Sequence, residues 1–266
     1  MAQHTPTGTF LDFAIDAAWQ AGQLTLSHFQ TNVAVEWKSD QSPVTVADRG
    51  SEQLLRRLIE ARFPGHAIIG EEFGEANTDS THRWIIDPID GTRSFIRGVP
   101  LYGVLIGLEI AGEMVVGVAH FPGLGETVAA ARGEGCRWNG RRAHVSGVSR
   151  LDQALLAYTD VADFAHHGRA AAWERLLAAT HTQRGWGDCY GHCLVATGRA
   201  EVAVDPIMCA WDSAPLLPIL QEAGGSFTDW KGNPTIYGGN AFSTNGVLFE
   251  AVREILGSSA EPWTHP

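Results

Sequence analysis

The sequence predicts an α/β fold, and three observations carry that expectation. Apolar residues make up 44% of the 266 positions and glycine occupies 30 of them, a balance that suits a compact chain with many turns. Between residues 101 and 131, apolar runs at 101–110, 113–121 and 126–131 are separated by short glycine turns, the pattern of an antiparallel sheet. From residue 155 onward, strand-like and helix-like segments alternate instead.

The elements follow in order. Phe10, Ala14, Ile15, Ala18, Ala21, Leu24 and Phe29 recur at helical spacing behind a Thr9 cap. Residues 33–38 have strand composition, and 39–43 read as a turn. A second amphipathic helix is expected from Thr45 to about Arg62, with Leu54, Leu55, Leu58 and Ile59 inward and Pro64-Gly65 as its stop. Asp48 sits in its first turn, where a carboxylate favours the helix dipole. A short strand at 66–70 then delivers Glu71 and Glu72 to a loop, and the polar stretch 74–81 reads as a mobile flap.

The stretch Trp84-Ile85-Ile86-Asp87-Pro88-Ile89-Asp90-Gly91-Thr92 organises the rest. Pro88 has no N–H and biases Asp87 towards extended geometry, so the strand is expected to end there. Asp87, Asp90 and the Ile89 carbonyl would then present hard oxygens from one loop, a donor set that suits Mg²⁺. Gly91 permits close backbone approach, and Thr92 opens a segment whose free N–H groups could receive a phosphate. The same residues also read as an Asp-Pro turn followed by an Asp-Gly turn.

A softer region at 144–151 marks an expected boundary between a first domain, 1–147, and a second, 148–266. In the second, 155–158 reads as a strand, 168–180 and 189–197 as helices, and 201–206 as a strand. Asp212 begins a helix that stops at Gly224-Gly225, so a capping role suffices to explain it. Strands at 227 and 241–244, a last helix at 247–256 and a tail from Ser258 complete the reading.

Nineteen Lys and Arg against 30 Asp and Glu give a formal charge of −11, which argues against nucleic acid as a partner. It accords with a small phosphorylated substrate if bound cations supply positive charge. No apolar run has the length of a membrane span, and the first residues lack a signal-peptide core. The four cysteines show no CxxC pairing, so reduced thiols and a cytoplasmic location are expected.

Three elements in sequence resemble the signatures of the inositol monophosphatase family. They are Ile69-Gly70-Glu71-Glu72, the Asp87–Thr92 stretch, and Trp211-Asp212-Ser213-Ala214 with Glu222-Ala223-Gly224-Gly225. The resemblance implies a layered αβαβα sandwich and Mg²⁺-dependent hydrolysis of a phosphomonoester, with two or three ions per site. It implies Glu71, Asp87, the Ile89 carbonyl, Asp90 and Asp212 as metal ligands, with Asp48 at or beside a third ion. Glu71, Thr92 and Asp90 would be catalytic, and Gly91, Thr92, Arg93, Ser94, Arg184, Asp188, Asp205 and Asp212 would bind substrate. Similar proteins are commonly homodimers, which makes a homodimer the expectation.

Within the family, Arg184-Gly185-Trp186-Gly187-Asp188-Cys189-Tyr190 is most similar to histidinol-phosphate phosphatases. A carboxylate at Asp188 suits a cationic leaving group, unless it merely caps the helix that it precedes. An inositol-1-phosphatase, a sugar or nucleotide 3′-phosphatase, and a fold kept for binding without turnover are the alternatives.

Overall fold

The computed structural model describes residues 7–257, so the tail expected from Ser258 lies outside the described residues. Helix α1 (Thr7–His28) is followed by the hairpin β1 (Val35–Trp37) and β2 (Pro43–Thr45), then by α2 (Val46–Arg62). Strands β3 (Ala67–Gly70), β4 (Gly74–Ala76) and β5 (His82–Asp90) lead to the short α3 (Thr92–Phe95). Then come β6 (Gly103–Ile110), β7 (Glu113–Phe121), β8 (Glu126–Ala131), β9 (Gly135–Trp138) and β10 (Arg141–Arg142). All but the first hairpin join one sheet in the order β10-β9-β8-β7-β6-β5-β3-β4, antiparallel except where β3 runs parallel to β5.

The second half contributes β11 (Leu155–Tyr158), α4 (Val161–His166), α5 (Ala170–Ala179), β12 (Thr182–Arg184) and α6 (Asp188–Ala196). It continues with β13 (Val202–Asp205), α7 (Ala210–Ser213), α8 (Leu216–Glu222), β14 (Ser226–Thr228), β15 (Ala241–Thr244) and α9 (Phe249–Gly257). Its five strands order as β12-β11-β13-β15-β14, with both neighbours of β11 parallel to it and the rest antiparallel.

Helices α1 and α2 cover one face of the large sheet, α6 and α8 fill the space between the sheets, and α5 and α9 cover the far side. This is the αβαβα sandwich. The middle core joins both halves, since Ile85, Leu105 and Ala119 pack in one cluster with Ala157, Cys193 and Leu220. Phe10, Leu55 and Trp84 belong to the first outer core, and Leu156, Trp173 and Val252 to the second. Two glycines set how closely the middle layer can approach the large sheet. A Cβ at Gly107 would lie 2.7 Å from the Ala214 methyl, and one at Gly117 would collide with the Pro215 carbonyl. The α7–α8 segment therefore rides directly on β6 and β7.

The local expectations need several corrections. The first helix begins at Thr7, so Thr9 lies inside it rather than at its cap. Pro43 pairs with Trp37 in β2 instead of belonging to the turn. Pro88 does not end its strand: β5 continues to Asp90, because the pairing with β6 shifts register between Asp87 and Asp90 and demands no N–H from the proline. Residues 74–76 form β4 on the sheet edge, so the expected flap starts as paired strand. Helix α4 was not anticipated, although Asp160 caps it by accepting from the Ala162 N–H at 2.8 Å. The helix expected from Asp212 to Gly224 is two helices, broken at Pro215, and Asp212 occupies the third position of α7 rather than its cap.

Candidate active site

The end of β5 meets α7 and the start of α6 at one buried cluster of acids. Asp87 is 2% exposed and Asp90 9%, and each is fixed by a main-chain donor. The Ile89 N–H donates to Asp87 Oδ1 at 2.9 Å, and the Cys189 N–H donates to Asp90 Oδ2 at 2.6 Å. Asp212 accepts from the Cys209 N–H at 2.7 Å, while the Cys209 thiol accepts from the Asp212 N–H in return. The capping geometry thus orients Asp212 from Cys209. Carboxylate oxygens of Asp87, Asp90 and Asp212 lie within 4.8 Å of one another.

Such crowding is electrostatically costly. Burial, then the charges of Glu71, Asp90 and Asp212, raise the Asp87 carboxyl well above its usual range. Burial raises Asp90 likewise, with Asp188 and Asp212 adding to it. Asp212 is pushed up to about 7, by burial first and then by Glu71 and Asp205 against the Cys209 hydrogen bond. Three carboxylates that repel one another from fixed positions form a donor set for a hard divalent cation, so the residues present fit the metal that the sequence implied.

Glu71 approaches from the β3–β4 turn, and its charge is felt at both Asp87 and Asp212. Its Oε1 receives Lys38 Nζ at 2.7 Å, and the same ammonium reaches Glu72 Oε1 at 2.6 Å. Beneath this turn lies Glu52, fully buried on α2. It accepts from the Glu72 N–H at 2.7 Å, the Phe73 N–H at 3.2 Å and Arg56 Nε at 2.8 Å. Gly70 is required here, since a Cβ would collide with the Glu52 carboxylate.

Asp48 has both oxygens engaged. Oδ2 accepts from the Thr45 N–H at 2.7 Å in the α2 capping box, and Oδ1 accepts from Thr92 Oγ1 at 3.1 Å. The Thr92 hydroxyl also lies 2.9 Å from the Ile89 carbonyl. Asp48 therefore touches Thr92 and sits behind it, outside the three-carboxylate cluster. Gly91, at φ +84°, turns β5 into α3, and a Cβ there would lie 3.0 Å from the Leu101 carbonyl.

A cavity of about 300 Å³ opens beside the cluster, lined among others by Asp90, Arg93, Asp188, Asp205, Cys209 and Asp212. Asp188 is the first residue of α6 rather than its cap, which is Gly187, and it has φ +51°. That left-handed conformation is strained for aspartate and is held by the Asp188 N–H on Thr159 Oγ1 at 2.7 Å. Its carboxyl is raised to about 7 by burial and by Asp205 and Asp212, with Arg93 opposing. Of the remaining expected residues, Ser94 bonds its N–H to the Gly91 carbonyl within α3 at 2.9 Å. Arg184 lies exposed on β12, 6.0 Å from the centre of the Trp186 ring, and does not line the cavity. Glu52 and Lys38 are the neighbours that sequence reasoning missed. A glutamate on an amphipathic helix looks solvated until the glycine above it is known to be close.

Fold and site together define a phosphatase, a phosphoric monoester hydrolase. The inositol monophosphatase family matches residues 8–262, and the chain belongs to that family, whose members act on small phosphorylated substrates. It is 47% identical to the histidinol-phosphatase of Chlorobaculum parvum over 90% of this chain and 93% of that one. It is 38% identical to the histidinol-phosphatase of Mycobacterium tuberculosis, over 91% of this chain and 95% of that one. Among solved structures, the inositol monophosphatase of Thermotoga maritima matches with a TM-score of 0.86 at 30% identity, over 94% of this chain and 98% of that one.

Proposed function

We propose that the protein is a Mg²⁺-dependent histidinol-phosphatase, converting L-histidinol phosphate and water to L-histidinol and phosphate. One observation carries the choice of substrate: besides Asp90 and Asp212 of the acid cluster, four aspartates and a single arginine line the cavity. A wall of carboxylates favours an ammonium- and imidazole-bearing leaving group over a neutral polyol, which needs donors as well as acceptors. The names of the two histidinol-phosphatases support the same choice.

Glu71, Asp87, the Ile89 carbonyl, Asp90 and Asp212 would hold two or three ions, with Asp48 acting through Thr92. When bound, Mg²⁺ would neutralise the clustered carboxylates and the phosphate charge. Thr92, fixed by Asp48 and Ile89, orients the attacking water. Glu71 takes the proton of that water as its oxygen joins phosphorus, and the P–O bond to the alcohol breaks. The N–H groups of Gly91 and Thr92, at the start of α3, receive phosphate oxygens. Asp188 and Asp205 face the leaving group, whose oxygen takes a proton from solvent water as it departs as the alcohol, and Glu71 returns its proton to solvent. Residues 1–147 would supply the loop and Glu71, and 148–266 the residues that select substrate.

A cytoplasmic homodimer belongs to the same proposal. Four cysteines without a disulfide partner accord with a reducing compartment. Turnover of L-histidinol phosphate, inositol 1-phosphate and adenosine 3′,5′-bisphosphate, each with Mg²⁺ and with excess chelator, tests the proposal. The expected result is preference for the first and silence in chelator. Activity that persists in chelator, or preference for inositol 1-phosphate, contradicts it.

A further inference from the structure

The cavity has a support behind it that the proposed reaction does not call on. Asp205, 5% exposed at the end of β13, uses one oxygen inside the protein: its Oδ2 lies 3.0 Å from His192 Nε2. Oδ1 is buried and has no hydrogen-bond partner among the described residues. His192 is fully buried on α6, and its other nitrogen, Nδ1, lies 2.6 Å from Ser243 Oγ on β15. A carboxylate can only accept, so Nε2–H donates to Asp205, and the Ser243 hydroxyl donates to Nδ1. Phe227 stands edge-on to the imidazole at 5.5 Å and closes its flank.

Packing alone does not require this chain of polar groups, since an apolar ring at 192 would fill the same space. Asp205 lines the cavity, and His192 with Ser243 fixes its carboxylate there. We infer that Ser243, His192 and Asp205 form a positioning relay that holds the Asp205 carboxylate at the cavity wall for the cationic part of the substrate, making His192 a determinant of selectivity. The inference rests on the amine-bearing substrate proposed above. His192 touches no reacting atom, so its effect falls on binding of the leaving group rather than on the chemical step.

The test compares L-histidinol phosphate with glycerol 2-phosphate, at saturating Mg²⁺, in His192→Phe, His192→Gln, Ser243→Ala and Asp205→Asn. His192→Phe keeps the ring volume and should raise KM for the amine substrate about tenfold while kcat moves less than twofold. Glycerol 2-phosphate should feel far less. His192→Gln should recover most of the loss, because its amide can donate to Asp205. Ser243→Ala, the gentler variant if His192→Phe folds badly, should shift KM the same way by about threefold. With Asp205→Asn already present, His192→Phe should add little. Equal losses on both substrates, or losses that add in the double variant, overturn the relay while leaving the substrate proposal standing. A wild-type enzyme without preference for the amine substrate overturns that proposal, and the relay with it.

Discussion

The end of β5 and the wall contributed by the second half are both acidic, yet they are built in opposite ways. Asp87, Ile89, Asp90, Gly91 and Thr92 are contiguous, and the turn that arranges them is local: a register shift, then a left-handed glycine. Asp188, Asp205 and Asp212 come from three elements and meet only because α6 packs on the small sheet and α7 on the large one. On the proposed mechanism, local geometry supplies most of the machinery for hydrolysis, Asp212 completes it from the packed wall, and Asp188 and Asp205 supply the surface that faces the leaving group. The two can vary separately, which is how one fold accommodates several phosphomonoesters.

The comparison breaks most visibly at its first term. Asp90→Asn should lower kcat/KM by more than about a hundredfold on every phosphomonoester, since even substitutions behind a metal ligand cost roughly that much. The same variant should raise the melting temperature of chelated protein, because it removes one of three repelling carboxylates. A loss confined to one substrate would place Asp90 on the selective side and erase the distinction.

Asp188→Asn sharpens the second term. A charge-assisted hydrogen bond contributes about 1.5–3 kcal/mol, roughly one to two decades in kcat/KM. The loss should fall on L-histidinol phosphate and largely spare inositol 1-phosphate, so the ratio between the two is the quantity to measure. Equal losses would mean that Asp188, strained at the start of α6, serves the scaffold.

The smallest effect concerns pH. Asp212 is raised from 3.8 to about 7 in the folded, metal-free protein. Between those values the folded state holds more of a proton at Asp212 than the unfolded state, so the stability this group contributes is fully present below about 4 and is lost as pH rises towards 7. Differential scanning of chelated protein should therefore show a falling melting temperature across this window, with a shallower fall in Asp212→Asn. A few degrees are expected for a chain of this size. Comparison with the variant cancels the opposite contribution of the buried His66 and His120, whose pKa values burial lowers. Superimposable slopes would deny Asp212 its place in the crowded cluster.

The sequence exposed the first region well because an apolar run, a proline and a glycine punctuate it in plain order. It misjudged Pro88, since whether a missing N–H matters depends on which strand lies alongside and in what register. The layers were legible through periodicity and resemblance, whereas β4 and α4 were not, being short and polar at their ends. Asp212 read equally as a cap and as a ligand because the α7 capping box makes it an acceptor in either role. Glu52 and the positive φ of Asp188 left no trace in one dimension. Buried charge on a helix and left-handed aspartate both depend on partners distant in the chain.

Gly107 and Gly117 admit the segment that carries Asp212 onto β6 and β7, and this has a consequence for the newborn chain. A ribosome releases the Glu71 turn and the Asp87–Thr92 loop long before residue 212 exists. The large sheet can assemble meanwhile, but its acid cluster lacks a member until α7 emerges and settles over the two glycines. On the proposed mechanism, hydrolytic capacity therefore arrives late and all at once, and a truncated or stalled chain should carry the motif without the activity.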